Sequence, residues 1–103
     1  MEYTLPVYEL KLYITGASPN STKAVINTKA FCEKYLKNRY QLQVIDVYQQ
    51  PIVAQQEQII ALPLLIKVFP LPIKKLIGCM GNTHKVLKGL DMIDALTPDD
   101  LVW

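Results

Sequence analysis

The chain has 103 residues, of which 50% are hydrophobic and 19% charged, and its formal net charge at pH 7 is +2. This size and composition predict one globular domain that needs neither a metal nor disulfides to form its core. The sequence contains no dense basic stripe, no unbroken apolar run long enough to cross a membrane and no N-terminal secretory signal. We therefore expect a cytoplasmic protein that binds neither nucleic acid nor membrane.

The first half of the sequence predicts a strand, a helix and a second strand. Apolar side chains fall at every second position of residues 8–14, which is the pattern of a strand. Ser18 is placed to cap a helix over residues 19–37, with Pro19 at its first position. Residues 40–48 contain a β-branched run typical of a strand buried on both faces. Together these elements predict a right-handed parallel β-α-β unit.

The second half begins with a strongly apolar stretch at residues 59–78 that three prolines interrupt. Its apolar runs are too short for periodicity to separate a buried strand from a buried helical turn. One interpretation places a short helix at residues 52–60, opened by Pro51, and strands at residues 64–69 and 73–77. Three lysines are expected to point outward from these strands: Lys67, Lys74 and Lys75.

The last predicted helix covers residues 83–96, with Asn82 as its cap and an apolar stripe that includes Val86, Leu90 and Ile93. Gly89 lies inside this helix and weakens it, because glycine costs about 1 kcal/mol relative to alanine there. The sequence pattern of residues 85–93, around Gly89, is also compatible with a strand in place of this helix.

The resulting element order is β-α-β-α-β-β-α, which is that of the thioredoxin-like fold. Pro63 precedes the third strand, where that fold has a cis-proline, and a Leu-Pro bond can be cis at a cost of about 0.5–1 kcal/mol.

Residues with catalytic or metal-binding chemistry are sparse. A thioredoxin-like redox enzyme carries a Cys-x-x-Cys pair at the start of its first helix, where the helix dipole lowers the thiolate pKa, but residues 18–21 read Ser-Pro-Asn-Ser here. We expect Cys32 to pack in the core, Cys79 to lie in a loop, and His84 to be a surface residue with no second metal ligand. Asp46 has no partner acid, which favours a structural hydrogen-bonding role. The sequence therefore predicts no enzyme, no cofactor and no metal.

Several short motifs occur in a characteristic order and spacing: LKLYITGASPNS (10–21), VIDV (44–47), Pro51, IALP (60–63), FPLPIKKLIG (69–78) and KVLKGLD (85–91). In this order they closely resemble the KaiB circadian-clock family, from about residue 8 to residue 93. The resemblance implies a single α/β KaiB-like, thioredoxin-like domain over residues 1–103. Its core lies at about residues 8–96, and residues 97–103 form a C-terminal tail.

The resemblance also implies a function and two alternative folds. KaiB proteins regulate a KaiC-type ring ATPase and kinase without being enzymes, and they bind further clock or signalling proteins. They are metamorphic: a homo-oligomeric ground state, usually a tetramer, has the order β-α-β-β-α-α-β, whereas a rare thioredoxin-like monomer binds KaiC. The second half of this chain is thus expected to form either α-β-β-α or β-α-α-β, with a dimer or tetramer as the ground state.

The resemblance implies two sets of functional residues. Gly89, Asp91 and the lysines match family positions, and the prolines are included because their isomerisation would slow an exchange of folds. The fold-switch set is Pro63, Pro70, Pro72, Gly89 and Asp91. The partner-binding set is Lys23, Lys67 and Lys75. Alanine at Gly89 is expected to favour the thioredoxin-like state by up to about 1 kcal/mol, and exchange is slow if one of the prolines must isomerise.

The chain departs from the family at residues 61–64, at residues 78–83, where an acidic segment is missing, and in an acidic tail reduced to Asp99 and Asp100. We expect these departures to affect which partners the protein binds more than they affect the fold. A role in stress signalling is therefore an alternative to a role in a circadian clock. Two further interpretations remain. One is a thioredoxin-fold thiol oxidoreductase, and the other is a KaiB-like sensor domain of a histidine kinase, which requires the chain to be part of a longer protein.

Overall fold

The computed structural model describes residues 7–59 and 61–92. Its elements follow in the order β1 (Tyr8–Ile14), α1 (Pro19–Tyr35), β2 (Tyr40–Asp46), α2 (Pro51–Gln56), β3 (Leu64–Phe69), β4 (Lys74–Ile77) and α3 (Thr83–Gly89). The four strands form one sheet in the order β2-β1-β3-β4. β1 is parallel to β2 and antiparallel to β3, and β4 is antiparallel to β3. Within the described residues, the second half has therefore adopted the helix, strand, strand, helix arrangement.

Successive side chains of β1 point to opposite faces of the sheet, so they pack in two separate hydrophobic cores. Leu10 and Leu12 join a cluster that includes residues of α1 and α3. Tyr13 points the other way and packs in a second cluster with Ile45 and Ile66. The sheet is therefore covered by α1 and α3 on one face, and its other face has a separate core.

The β1–α1–β2 unit confirms the prediction for the first half. The Ser18 side chain accepts a hydrogen bond from the Ser21 amide, and Pro19 occupies the first turn of α1. The helix ends at Tyr35, two residues before the predicted boundary, and β1 and β2 pair in parallel over their whole length.

The predicted burial of β2 on both faces is wrong. β2 lies at the edge of the sheet, and the side chains of Gln41, Gln43 and Val44 are exposed. Val44 has 38% of its surface accessible even though its neighbours Ile45 and Val47 are buried. A β-branched run indicates a strand, but it does not distinguish a central strand from an edge strand, because the neighbouring strands determine burial.

In the second half, β3 has the predicted bounds, whereas β4 begins one residue later and α2 ends at Gln56. The prediction that Lys67 points outward is wrong, since only 1% of its surface is accessible. Lys67 follows Leu65 by two residues and therefore faces the α1 and α3 side of the sheet. Lys74 and Lys75 are exposed, as predicted.

The last helix is shorter than predicted. The Asn82 side chain caps α3 by accepting a hydrogen bond from the Lys85 amide at 3.1 Å, but the helix ends at Gly89 instead of continuing to residue 96. The predicted apolar stripe is buried at Val86 and Leu90. Its third member, Ile93, and the predicted tail at residues 97–103 lie outside the described residues.

The peptide bond before Pro63 is cis, as predicted from the element order, and the bonds before Pro70 and Pro72 are cis as well.

Candidate functional site

The start of α1, where a thioredoxin-like redox enzyme carries its thiols, is occupied by hydroxyl groups. The Ser18 hydroxyl donates to Ser21 Oγ at 2.9 Å, and the Thr15 amide donates to the same oxygen at 3.0 Å. Ser21 is fully buried. These groups satisfy one another and cap the helix, so this position stabilises the fold but offers no nucleophilic thiol.

Asp46, at the end of β2, holds this turn in place. Its Oδ1 atom accepts hydrogen bonds from the amides of Gly16 at 3.0 Å and Tyr48 at 2.9 Å. Gly16 has a φ of +56°, which favours glycine, and a Cβ there would lie 3.4 Å from Cδ2 of Tyr48. This arrangement agrees with the structural hydrogen-bonding role predicted for Asp46.

The two thiols occupy different environments, and neither lies at the start of a helix. Cys32 lies on the buried face of α1, in the core, as predicted. Burial, together with the nearby charge of Glu33, raises the pKa of its thiol to about 12. The thiol of Cys32 therefore stays protonated near neutral pH. Cys79 is half-buried in the loop before α3, where its carbonyl accepts a hydrogen bond from the Asn27 side chain at 2.9 Å.

No group of three or more potential metal ligands is found in the part of the chain that the structure describes. No helix among these described residues is long and apolar enough to cross a membrane.

The predicted fold-switch residues Gly89 and Asp91 lie at the end of α3. The Asp91 amide donates to the carbonyl of Lys88 at 3.2 Å, and the Met92 amide donates to the carbonyl of Leu87 at 2.8 Å. These two bonds, with Asp91 at a φ of +56°, form a Schellman motif. Glycine is the usual residue at that position, so the helix ends on an aspartate in a conformation that costs free energy.

Hydrophobic contact accompanies this helix end. Leu87 and Met92 belong to the same buried cluster as Leu90, as expected for a Schellman motif. Gly89 lies against the side chain of Leu76 on β4. The end of α3 is therefore held by packing on the sheet together with two hydrogen bonds.

The predicted fold-switch prolines flank β3. The carbonyl of Pro63 accepts a hydrogen bond from the Gly78 amide at 3.0 Å, which joins the start of β3 to the end of β4. Pro70 and Pro72 lie in the connection between these two strands. Together with Gly89 and Asp91, the prolines therefore stand at the boundaries of β3, β4 and α3.

The predicted partner-binding lysines do not form one exposed patch. Lys23 is exposed on α1 and Lys75 is exposed on β4. Lys67 is buried and faces the opposite side of the sheet from Lys75, which pairs with Ile66. In this conformation, only Lys23 and Lys75 of the three can contact another protein.

The sequence reasoning did not identify the surface that surrounds β4. Four large apolar residues there are exposed: Phe69, Leu71, Ile73 and Ile77. The surface also carries a charge signal that the sequence shows directly. The segment between Glu57 and Asp91 contains five lysines and no acidic residue.

The fold and the site together define a class of protein. The element order and the parallel β1–β2 pair give a thioredoxin-like α/β domain, and the start of α1 carries serines where redox members carry thiols. The described residues therefore form a thioredoxin-like domain that has no thiol at the position where redox members carry theirs.

Comparison with known sequences identifies the family. The sequence profile of the KaiB domain matches residues 11–92. The circadian clock protein KaiB3 of Synechocystis is 45% identical over 82% of this chain and 82% of its own length. The circadian clock oscillator protein KaiB of Thermostichus vulcanus is 44% identical over 84% of this chain and 80% of its own length. The chain belongs to the KaiB family, whose relatives here are named as circadian clock proteins and not as enzymes.

Solved structures confirm the fold. The N-terminal domain of SasA from Synechococcus elongatus superimposes with a TM-score of 0.68 at 20% identity, covering 94% of this chain and 95% of that domain. A chloroplastic thioredoxin z gives a TM-score of 0.69 at 15% identity, covering 87% of this chain and 80% of that one. At these identities the likeness shows the shared thioredoxin-like architecture and nothing about chemistry.

Proposed function

We propose that this protein is a non-enzymatic regulator that binds a KaiC-type ring ATPase and kinase in the cytoplasm, in a circadian clock or in related stress signalling. The observation that carries the proposal is membership of the KaiB family over residues 11–92. The hydroxyl groups at the start of α1 add support, because they remove the redox chemistry that the fold would otherwise suggest.

In this proposal, the described conformation is the binding state, and a homo-oligomeric ground state has the order β-α-β-β-α-α-β. The second half is suited to such a rearrangement. α3 has only seven residues, and helices shorter than about 12–15 residues are marginal in water without tertiary packing. Its stability depends on the burial of Val86 and Leu87 against the sheet. Loss of that packing would release α3 and β4 together.

A ring ATPase would act on this equilibrium by binding one fold more tightly than the other. A partner shifts a two-state equilibrium only by its difference in affinity for the two states. Each 1.4 kcal/mol of difference changes the population ratio about tenfold. The fold-switch residues at the boundaries of β3, β4 and α3 set the starting ratio, and the ring then draws the population toward its preferred fold.

Lys23 and Lys75 are the lysines that this conformation offers to acidic groups of the ring. Lys67 does not contact the ring in this state, because its side chain is buried here. Charge reversal at Lys23 or Lys75 is therefore expected to weaken binding, whereas Lys29→Glu is a matched control on an exposed part of α1.

The test is co-elution of the full chain with a purified KaiC-type ring on a sizing column after hours of incubation. The proposal predicts a complex that forms slowly and that Lys23→Glu or Lys75→Glu weakens more than Lys29→Glu. Failure of the wild-type chain to form any complex would contradict the partner assignment.

A thiol oxidoreductase is the second candidate, favoured only by the likeness to thioredoxins. The raised pKa of Cys32 and its full burial oppose it, because the thiolate is the reactive species. An insulin-reduction assay should show no activity above that of a Cys32→Ala, Cys79→Ala double variant. Activity that depends on either thiol would favour the oxidoreductase.

A further inference from the structure

β4 exposes one side of its backbone. It is the last strand in the sheet order, and among the described residues no strand pairs with its outer side. The hydrogen bond from the Gly78 amide to the Pro63 carbonyl defines which residues of the antiparallel ladder bond to β3. By alternation, Leu76 and Lys74 bond inward, and the amides and carbonyls of Lys75 and Ile77 point away from the sheet.

The side chains of these two outward-bonding residues share one face. Lys75 pairs with Ile66 and Ile77 pairs with Leu64, so both lie on the side of the second core. Ile77 has 59% of its surface accessible. Beside it is a cavity of about 280 Å³ whose apolar lining includes Ile59 and Leu64. Within the described part of the chain, the edge therefore combines backbone groups that no strand pairs with, a lysine and an apolar recess.

The segment of the chain that contains this edge carries charges of one sign. The segment between Glu57 and Asp91 contains five lysines and no aspartate or glutamate. Two of these lysines, Lys74 and Lys75, are exposed on β4, one on each face of the sheet. An extended segment that carries carboxylates would meet a lysine on each face of the sheet.

Lysines on an edge strand often serve to prevent aggregation. Here they oppose pairing between two copies of this protein, because an antiparallel or parallel β4–β4 pair would bring lysines together. The same lysines attract an acidic strand. The occupant that fits this edge is therefore an acidic segment and not a second copy of β4.

We propose that the outer edge of β4 binds an extended acidic segment of a partner protein as an additional strand. Residues opposite Lys74 and Lys75 are acidic, and residues opposite Leu76 and Ile77 are apolar, of which the one opposite Ile77 enters the cavity. A parallel segment then has the order acid-acid-apolar-apolar, and an antiparallel segment has the reverse. This inference stands apart from the ring ATPase proposal, because it concerns a peptide motif and is tested without the ring.

The probe is a short fluorescent peptide containing Asp-Asp-Leu-Val between neutral flanks, titrated with the full chain and followed by anisotropy. Lys75→Glu should weaken binding at least about tenfold, because an attraction becomes a repulsion. Lys29→Glu changes the net charge equally and should leave the affinity within about twofold. Ile77→Pro removes one outward amide without removing a bond to β3 and should also weaken binding.

A second peptide, with the central residues in the order Asp-Leu-Asp-Val, tests the register and should bind at least about fivefold more weakly. Equal binding of the two peptides, an equal loss for Lys29→Glu and Lys75→Glu, or no binding of either the Asp-Asp-Leu-Val peptide or a reversed Val-Leu-Asp-Asp peptide by a folded wild-type chain would each overturn the proposal.

One further variant tests the alternative occupant. Residues 99–102 of this chain also read Asp-Asp-Leu-Val. A gain in peptide affinity for Asp99→Lys, Asp100→Lys would assign the edge to the chain's own segment and would overturn the assignment to a partner. An unchanged affinity supports the partner.

Discussion

Gly89 packs against the Leu76 side chain where α3 meets β4, so that a side chain at position 89 would be crowded. A Cβ atom added to Gly89 would lie 3.1 Å from Cδ1 of Leu76. Gly89 is the last residue of α3 and not an interior one. Alanine at position 89 would therefore gain helix propensity, but its Cβ atom would crowd Leu76 and require that methyl group to move.

Gly89→Ala is expected to change the free energy of unfolding by less than about 1 kcal/mol, because the gain in helix propensity is offset by displacement of Leu76. In a Leu76→Ala background the contact is absent, and the same change should stabilise the domain by a larger amount. Urea unfolding of the four proteins in this double-mutant cycle measures the coupling. Equal effects of Gly89→Ala in both backgrounds would show that the contact has no energetic role.

Asp91→Gly is expected to stabilise the described conformation by about 1 kcal/mol, because glycine adopts a positive φ without the steric cost that aspartate has at +56°. Thermal unfolding and NMR populations measure this change. Asp91→Asn is the matched control: it removes the charge but keeps a side chain of the same size, so its effect should be small. A similar gain for Asn and Gly would assign the effect to charge instead of backbone conformation.

The Cys32 thiol gives a prediction about pH. Burial raises its pKa from 9.0 to about 12, so the folded state holds this proton more tightly than the unfolded state. Its contribution to stability is complete below pH 9 and is lost as the pH rises toward 12. The difference in unfolding free energy between wild type and Cys32→Ala should therefore shrink from pH 8 to pH 10.5. A pH-independent difference would contradict the assignment.

Asp46→Ala should destabilise the domain by about 1–3 kcal/mol, because two amides lose their acceptor. Chemical denaturation measures the loss. Glu9→Ala removes an exposed carboxylate from β1 and should cost no more than about 0.5 kcal/mol. Equal losses for the two variants would show that Asp46 does not hold the turn between β1 and α1.

Local sequence patterns were sufficient to predict those elements that bury one face. Alternation predicted β1, and Ser18 with Pro19 predicted the start of α1, because these features act within a few residues. Burial of Lys67 and exposure of β2 could not be predicted, since both depend on which strands become neighbours in the sheet.

The end of α3 also escaped prediction. Apolar spacing continues past Gly89 in the sequence, but the Schellman bonds from Asp91 and Met92 end the helix, and no glycine marks that turn. For the candidate site, the sequence correctly predicted that Lys75 is exposed. It could not show that Lys67 is withdrawn into the core, or that the exposed apolar residues gather around β4.

We propose above that the thioredoxin-like state of this KaiB-family protein is the form that binds a KaiC-type ring. The most direct measurement is the rate at which the full chain forms a complex with a purified KaiC-type ring, compared between wild type and Asp91→Gly. We expect faster formation by the variant, by up to about fivefold for a shift of about 1 kcal/mol. Equal rates in wild type and variant, when NMR confirms the shifted population, would contradict it.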